Sequence, residues 1–212
     1  MFGLKRRDFI LSGLGTVCAL PLGAQSSAKT ILVMGDSLSA EYGLARGTGW
    51  VALLATRLAQ AKSPYTVVNA SISGDTTSGG RSRLAALLKQ HQPALVVIEL
   101  GGNDALRGLP LDMTADNLNA MTQAARAAGA HVLLLGMQMP PNYGADYGKR
   151  FAELYAKVAA AHKAALVPFF LKGIADDTDP LRWFQADRIH PLASAHPRLL
   201  DNVWPTLAKL LK

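Results

Sequence analysis

A parallel β-sheet with helices on both faces, built as one domain, is the architecture this sequence predicts. Short apolar runs without polar alternation recur along the chain, the pattern of strands buried on both faces. Amphipathic stretches at helical spacing separate them, which points to strand–helix alternation and a three-layer α/β/α arrangement. The 212 residues are half hydrophobic and 17% charged, enough for one large packed domain and far from a disordered composition. No internal repeat, low-complexity tract or interdomain linker divides the chain.

The first residues stand apart. Lys5, Arg6 and Arg7 precede FILSGLGTVCALPLGA, an apolar stretch rich in small residues. Residues 1–28 read as an export signal peptide, too short and too Gly-interrupted for a good membrane span. Ala24 and the run from Ser26 to Ala28 offer cleavage sites. KRRDFI also fits the twin-arginine pattern, although adjacent basic residues occur in ordinary signals. The single cysteine, Cys18, lies inside this leader. A mature chain of residues 29–212 therefore has no disulfide, thiol catalyst or cysteine-based zinc site available.

The elements follow in order. TILVM (30–34), YTVVNA (65–70), ALVVIEL (94–100) and HVLLLG (131–136) are the candidate strands. ALVPFF (165–170) is a weaker fifth, and its Pro168 suits a sheet edge. Leu84, Leu87, Leu88 and His91 mark one helix, and Leu118, Met121 and Ala125 a second that Gly129 stops. Phe151, Leu154, Tyr155 and Val158 mark another, and Leu199 to Leu210 the last. Ser39 is expected to start a helix after the first strand.

Charge narrows the partners. The formal charge is +7, and without Lys5, Arg6, Arg7 and Asp8 it falls to +5, from 19 basic and 14 acidic residues. These charges are scattered and not interleaved with aromatics, so nucleic-acid binding is a poor reading. A mild attraction to anionic substrates or surfaces is all they support.

In parallel sheets ligands bind at the carboxyl ends of the strands, where strand order reverses. The loops to inspect are GDSLS, SISGDTT and GGND, which follow the first three strands. Ser37, in GDSLS, is a nucleophile only if a base reaches it and a third group orients that base. His91 and His162 lie in helical stretches, His131 opens a strand, and His196 is a rival without support. His190 differs, because Asp187 lies three residues before it and Pro191 follows, biasing its backbone towards extended. A carboxylate at that spacing can reach the imidazole and set its tautomer. Acyl transfer also needs donors for an oxyanion, and Asn103 and the backbone of Gly74 and Ser37 qualify. Taken alone, either Asn103 or Gly74 is better read as a turn-former.

Together these blocks resemble the SGNH hydrolase (GDSL-type esterase) superfamily. GDSLS with Ser37, SGDT with Gly74, GGND with Asn103 and DRIHP with Asp187 and His190 appear in its order, across essentially the whole mature chain. VVNASISGDT, LLKQHQP, ELGGND, PxNYG and LxPFF look like the bacterial periplasmic acyl-CoA thioesterase / lysophospholipase / arylesterase group. The resemblance implies a flavodoxin-like five-stranded sheet of order 2-1-3-4-5. It implies Ser37 as nucleophile, His190 as base and Asp187 as its orienting acid. The oxyanion hole would be the Ser37 and Gly74 N–H groups and the Asn103 side chain. It implies an exported, periplasmic esterase or thioesterase acting on acyl esters, acyl thioesters or lysolipids, without cofactor or metal, and a monomer. Arg188, between acid and base, departs from the small residue familiar in relatives.

The apolar loop MQMPPNYG (137–144) is a candidate acyl groove through Met139 and Tyr143, or else a purely structural connection. Two rivals stand beside the main reading. A carbohydrate O-acetyl esterase would favour acetylated sugars over chains of about eight carbons or more, where burial at ~0.8 kcal/mol per CH₂ takes over. A silent lipid-binding module would not form a fluorophosphonate adduct at Ser37. Other motifs fail: Gly-x-Ser-x-Gly, a phosphate loop and metal-ligand spacings are all missing from the sequence.

Overall fold

The apolar runs pair as parallel strands in the computed structural model, which describes Met1 and residues 28–212. Residues 2–27, with the basic and apolar leader expected to be an export signal and Cys18 inside it, lie outside the described residues. The strands are β1 (Lys29–Gly35), β2 (Tyr65–Asn69), β3 (Leu95–Glu99), β4 (His131–Leu135) and β5 (Ala165–Val167). Their order is β2-β1-β3-β4-β5, the flavodoxin-like order the resemblance implied. β3 is buried along its whole length and β1 from Ile31 onwards, as unalternating apolar runs require.

Helices α1 (Trp50–Gln60) and α6 (His196–Leu210) pack together over one face. Helices α2 (Thr77–His91), α4 (Leu111–Ala127) and α5 (Ala145–His162) cover the other. α3 (Gly102–Leu106) is a single short turn of helix after β3. The core lies between these layers, with Trp50, Phe151, Tyr155 and Phe170 its largest fully buried side chains.

Two expectations need correction, two helices went unread, and the expected edge position of the fifth strand holds. β5 stops at Val167 because Pro168 has no N–H to give the ladder, and it is the edge strand. α1 and α3 escaped the sequence reading, since α1 follows a long loop and α3 is too short to show a period. Ser39 starts no helix: it sits buried in a turn, donating to Glu99 Oε2 at 2.7 Å and accepting from Trp50 Nε1 at 3.1 Å. Its neighbours satisfy it through tertiary contacts, which a local capping rule cannot see.

Parallel pairing of β1 with β3 sets Gly35 beside Glu99. β1 also pairs with β2 on its other side, so the sheet's reversal of order falls at β1 and β3. The GDSLS and GGND loops therefore leave the sheet side by side. Towards the β5 edge of the sheet, at the same carboxyl ends, the packing is equally close. A methyl group on Gly136 would sit 2.5 Å from the Pro168 carbonyl oxygen, a backbone atom that cannot step aside. Gly136→Ala is expected to cost about 1–3 kcal/mol by overpacking, read as a lower midpoint in urea unfolding at unchanged slope; an unshifted midpoint would contradict the contact.

Candidate active site

The first side of the site grows from the end of β1. Asp36 is buried and its carboxylate accepts from the Leu38 N–H at 3.0 Å, an Asx-type turn that swings the chain out of the sheet. Ser37 sits on that turn, 9% exposed. Its hydroxyl oxygen lies 2.8 Å from His190 Nε2. Glu41 closes the following loop by accepting from the Gly47 and Gly49 N–H groups.

The second side comes from the loops after β2 and β3. Gly101 has φ +118° and its missing side chain leaves room for the Tyr155 hydroxyl, which donates to the Leu100 carbonyl. This kink starts α3 and turns Asn103 towards Asp36. The Asn103 amide donates to Asp36 Oδ2 at 2.9 Å and to the Asp75 carbonyl at 3.0 Å. Through Asp75 it is tied to Gly74, whose φ of +78° an L side chain rarely adopts. Beneath this layer, buried Asp104 accepts from the Thr77 N–H at 2.9 Å and from the Thr77 hydroxyl, joining the start of α2 to α3. Among the described residues, no acceptor takes the Ser37 or Gly74 N–H.

His190 arrives from the long segment between β5 and α6, beyond the edge of the sheet. That segment folds back on itself. Phe184 bridges Pro191 antiparallel, the Gln185 N–H donates to the His190 carbonyl, and the Leu192 N–H donates to the Trp183 carbonyl. Asp177 braces its base by accepting from Trp183 Nε1, Arg182 and the Asp179 N–H, donors that hold its carboxyl well below the usual range. Gln185 reaches across to the Tyr42 carbonyl at 3.0 Å, and the Tyr42 ring lies against His190 with centroids 4.3 Å apart. The segment is thus pinned to the loop that carries Ser37.

Asp187 closes the constellation. One oxygen accepts from the Ile189 and His190 N–H groups, and the other lies 2.7 Å from His190 Nδ1. The backbone bond from His190, its ring bond and the Ile189 bond together hold the carboxyl down to about 2. An ionised Asp187 is an acceptor only, so Nδ1 carries the ring proton and Nε2 presents a lone pair to the Ser37 hydroxyl. A base of that tautomer, touching a hydroxyl, can take its proton.

The other candidates separate cleanly. His196 is buried, and its Nδ1 accepts from the Trp50 N–H at 3.0 Å. Burial lowers it to about 4, so it stays neutral and caps α1, far from a base's role. His162 pairs with Asn119 on the helical face. Met139 is half-buried against the core, and with Pro140, Gly144 and Gly148 it lines a cavity of about 280 Å³. Tyr143 sits partly exposed in a 3₁₀ turn at Pro141–Tyr143. Ser37 and His190 do not line that cavity. Sequence reasoning missed Tyr42, an unremarkable aromatic in a loop. It also passed over Glu99, whose one visible signal is a carboxylate inside an otherwise apolar strand.

Comparison with known proteins agrees with this architecture. The GDSL-like lipase/acylhydrolase family model matches residues 33–198. Esterase TesA of Pseudomonas aeruginosa is 55% identical over 205 residues, covering 97% of this chain and all of that one. Thioesterase 1/protease 1/lysophospholipase L1 of Escherichia coli K12 is 44% identical over 176 residues, covering 83% of this chain and 82% of its own. A crystal structure of TesA superposes with a TM-score of 0.82 at 58% identity, covering 86% of this chain and 99% of that one. The chain belongs to the GDSL-like lipase/acylhydrolase family and is an ester hydrolase.

Arg188 occupies the left-handed region at φ +59°, between Asp187 and the two residues whose N–H groups Asp187 accepts. A non-glycine residue there carries about 1–2 kcal/mol of strain, against roughly 0.5–1 kcal/mol for the extra freedom glycine loses on folding. Arg188→Gly is therefore expected to raise the melting temperature slightly and to leave turnover of neutral esters intact. A lower melting temperature would mean that Arg188 makes a compensating contact.

Proposed function

We propose that the chain is an exported serine hydrolase that transfers the acyl groups of carboxylic esters and thioesters to water through Ser37, His190 and Asp187. The observation that carries this reading is the unbroken hydrogen-bonded path from Asp187 through the His190 ring to the Ser37 hydroxyl. As Ser37 Oγ attacks the substrate carbonyl carbon, His190 Nε2 takes the hydroxyl proton, and ionised Asp187 stabilises the imidazolium that forms. The Ser37 and Gly74 N–H groups and the Asn103 amide receive the oxyanion. His190 then gives its proton to the departing alcohol or thiol. Water, deprotonated by the same ring, attacks the acyl-enzyme and releases the carboxylic acid and free Ser37.

In the resting site both Asn103 amide hydrogens are engaged. The bond to buried Asp36 fixes the group, and the bond to the Asp75 carbonyl is the one an incoming oxyanion would compete for.

An acyl substrate of medium or long chain is supported by where the exposed apolar side chains fall. Apart from Met1, the large exposed hydrophobic residues among those described are Tyr42, Ile72, Leu106, Tyr143, Leu181, Ile189 and Leu192. All of them lie in segments that follow the carboxyl ends of strands, an apolar rim on the side of the sheet that Ser37 leaves, and the Tyr42 ring packs on His190 itself. Such a rim has little to offer an acetylated sugar and much to offer a hydrocarbon chain, at ~0.8 kcal/mol per CH₂ buried. Met139 and Tyr143 are the residues we assign to the chain's far end. Export of a mature 29–212 domain to the periplasm rests on the basic and apolar leader and on β1 beginning at Lys29, where that leader ends.

Ser37→Ala is expected to abolish turnover and the fluorophosphonate adduct together, whereas a persisting adduct would point to another nucleophile. Asn103→Ala should lower kcat on the order of 10²–10³-fold, and near-normal turnover would remove it from the oxyanion hole. Truncating Met139 or Tyr143 should shift the preference in a p-nitrophenyl ester series towards shorter chains, and an unchanged profile would count against the groove.

A further inference from the structure

We propose that Glu99 is a positioning residue that works as an un-ionised carboxylic acid, donating its proton to Asp36 and so fixing the carboxylate that holds the Asn103 amide. The proposal rests on the reading of Asn103 as an oxyanion donor. Glu99 itself touches no substrate and acts through Asp36.

Glu99 is the last residue of β3, fully buried and paired in register with Gly35 of β1. It fits because position 35 has no side chain. A Cβ there would lie 2.8 Å from Glu99 Oε2 and 2.6 Å from the Ser39 hydroxyl. Glu99 Oε2 accepts from that hydroxyl at 2.7 Å and from the Asp36 N–H at 3.3 Å. The Ser39 oxygen already accepts from Trp50 Nε1, so its own proton is committed to Glu99. Glu99 Oε1 is different: it is buried and no donor reaches it. The neighbouring acid is Asp36, only 3% exposed, whose N–H donates to the other Glu99 oxygen and whose charge bears on Glu99.

Two carboxylates cannot share such a place without a proton between them. Their donors decide which one keeps it. Asp36 receives the Leu38 N–H on one oxygen and the Asn103 amide on the other, and both bonds favour its anion. Glu99 lies deeper, and its Oε1 has nothing to accept from. A proton on Oε1 turns that orphaned acceptor into a donor to Asp36 and completes the network. Burial pushes Glu99 well above its usual range, with the Asp36 charge adding to it, and raises Asp36 only to about 6.

The surrounding titratable groups agree. Tyr155, from α5, faces the pair with its hydroxyl committed to the Leu100 carbonyl, and burial above all keeps it neutral, with the charges of Asp104 and Asp36 adding to it. His190, from the opposite loop, favours the anion on Asp36 whenever its ring is protonated. Among the described residues, no Lys or Arg forms an ion pair with either carboxyl. The Asp36 carboxylate is thereby gripped on three sides, and the Asn103 amide inherits its orientation.

The test uses the purified enzyme, its Glu99→Gln, Glu99→Leu and Asn103→Ala variants, and the Glu99→Leu/Asn103→Ala double variant. Gln keeps a donor for Asp36 and an acceptor for Ser39, so Glu99→Gln should retain most of kcat. Glu99→Leu should lose kcat on the order of 10²–10³-fold, the scale of one oxyanion donor, with KM little changed. The double variant should lose no more than Asn103→Ala alone, because both changes remove one interaction. Infrared difference spectra of wild type against Glu99→Gln near neutral pH should show the carbonyl band of an un-ionised carboxylic acid. Absence of that band overturns the proposal, even if Glu99→Leu fails to fold. Equal losses in Glu99→Gln and Glu99→Leu, or additive losses in the double variant, overturn it as well. The band together with normal turnover in Asn103→Ala would keep the proton on Glu99 and overturn the oxyanion reading instead.

Discussion

Backbone hydrogen bonding between β1 and β3 sets Gly35 and Glu99 level with one another, and the geometry of the site follows from that register. The two strands belong to opposite halves of the sheet, so the chain must leave both ends without crossing over the gap between them. Asp36 and Ser37 emerge from one strand, Gly101 to Asn103 from the other. A side chain on residue 35 would drive the strands' ends apart or expel Glu99. Glycine at that position is therefore a packing requirement as much as part of a motif.

On this floor the site is assembled from groups that hold one another. Asp36 joins the ends of β1 and β3 by accepting from Leu38 and Asn103. Asp104 joins α3 to the start of α2. Trp50, Ser39 and His196 link α1 and α6 to the same layer. Buried polar groups are costly unless fully paired, which makes such a layer stiff when complete and fragile when one member is lost. Stiffness is useful beneath groups that must be oriented before a transition state forms.

The loop carrying His190 solves a different problem. It starts at the far edge of the sheet, anchored by buried Phe170, Leu171 and Ile174, and from Ala175 to His190 it reaches Ser37 without a buried side chain. Its order comes from directional bonds: the Phe184–Pro191 bridge, the brace at Asp177 and the Gln185 bond to the Ser37 loop. Asp187 is more than a third exposed, so its charge is screened and its value lies in geometry more than in Coulomb energy. Three hydrogen bonds from two successive residues hold it against the imidazole. Arg188 takes a left-handed backbone so that this turn can close.

Much of this was legible in the residues. Unalternating Val, Leu and Ile runs announce doubly buried strands because only a covered parallel sheet tolerates them. GDSLS, SGDT, GGND and DRIHP announce where Ser37, Gly74, Asn103, Asp187 and His190 stand in the chain. What the sequence alone could not decide was any property that depends on a neighbour distant along the chain. Ser39 looked like a helix start because its partners, Glu99 and Trp50, are 60 and 11 residues away. Tyr42 looked idle until the His190 loop folded against it, and Glu99 looked like one charge in an apolar run until β1 placed Asp36 beside it. Motifs and periodicity are local and survive in the one-dimensional text. Protonation, tautomer and ring stacking are set by distance and dielectric, which exist only once the sheet has brought the strands together.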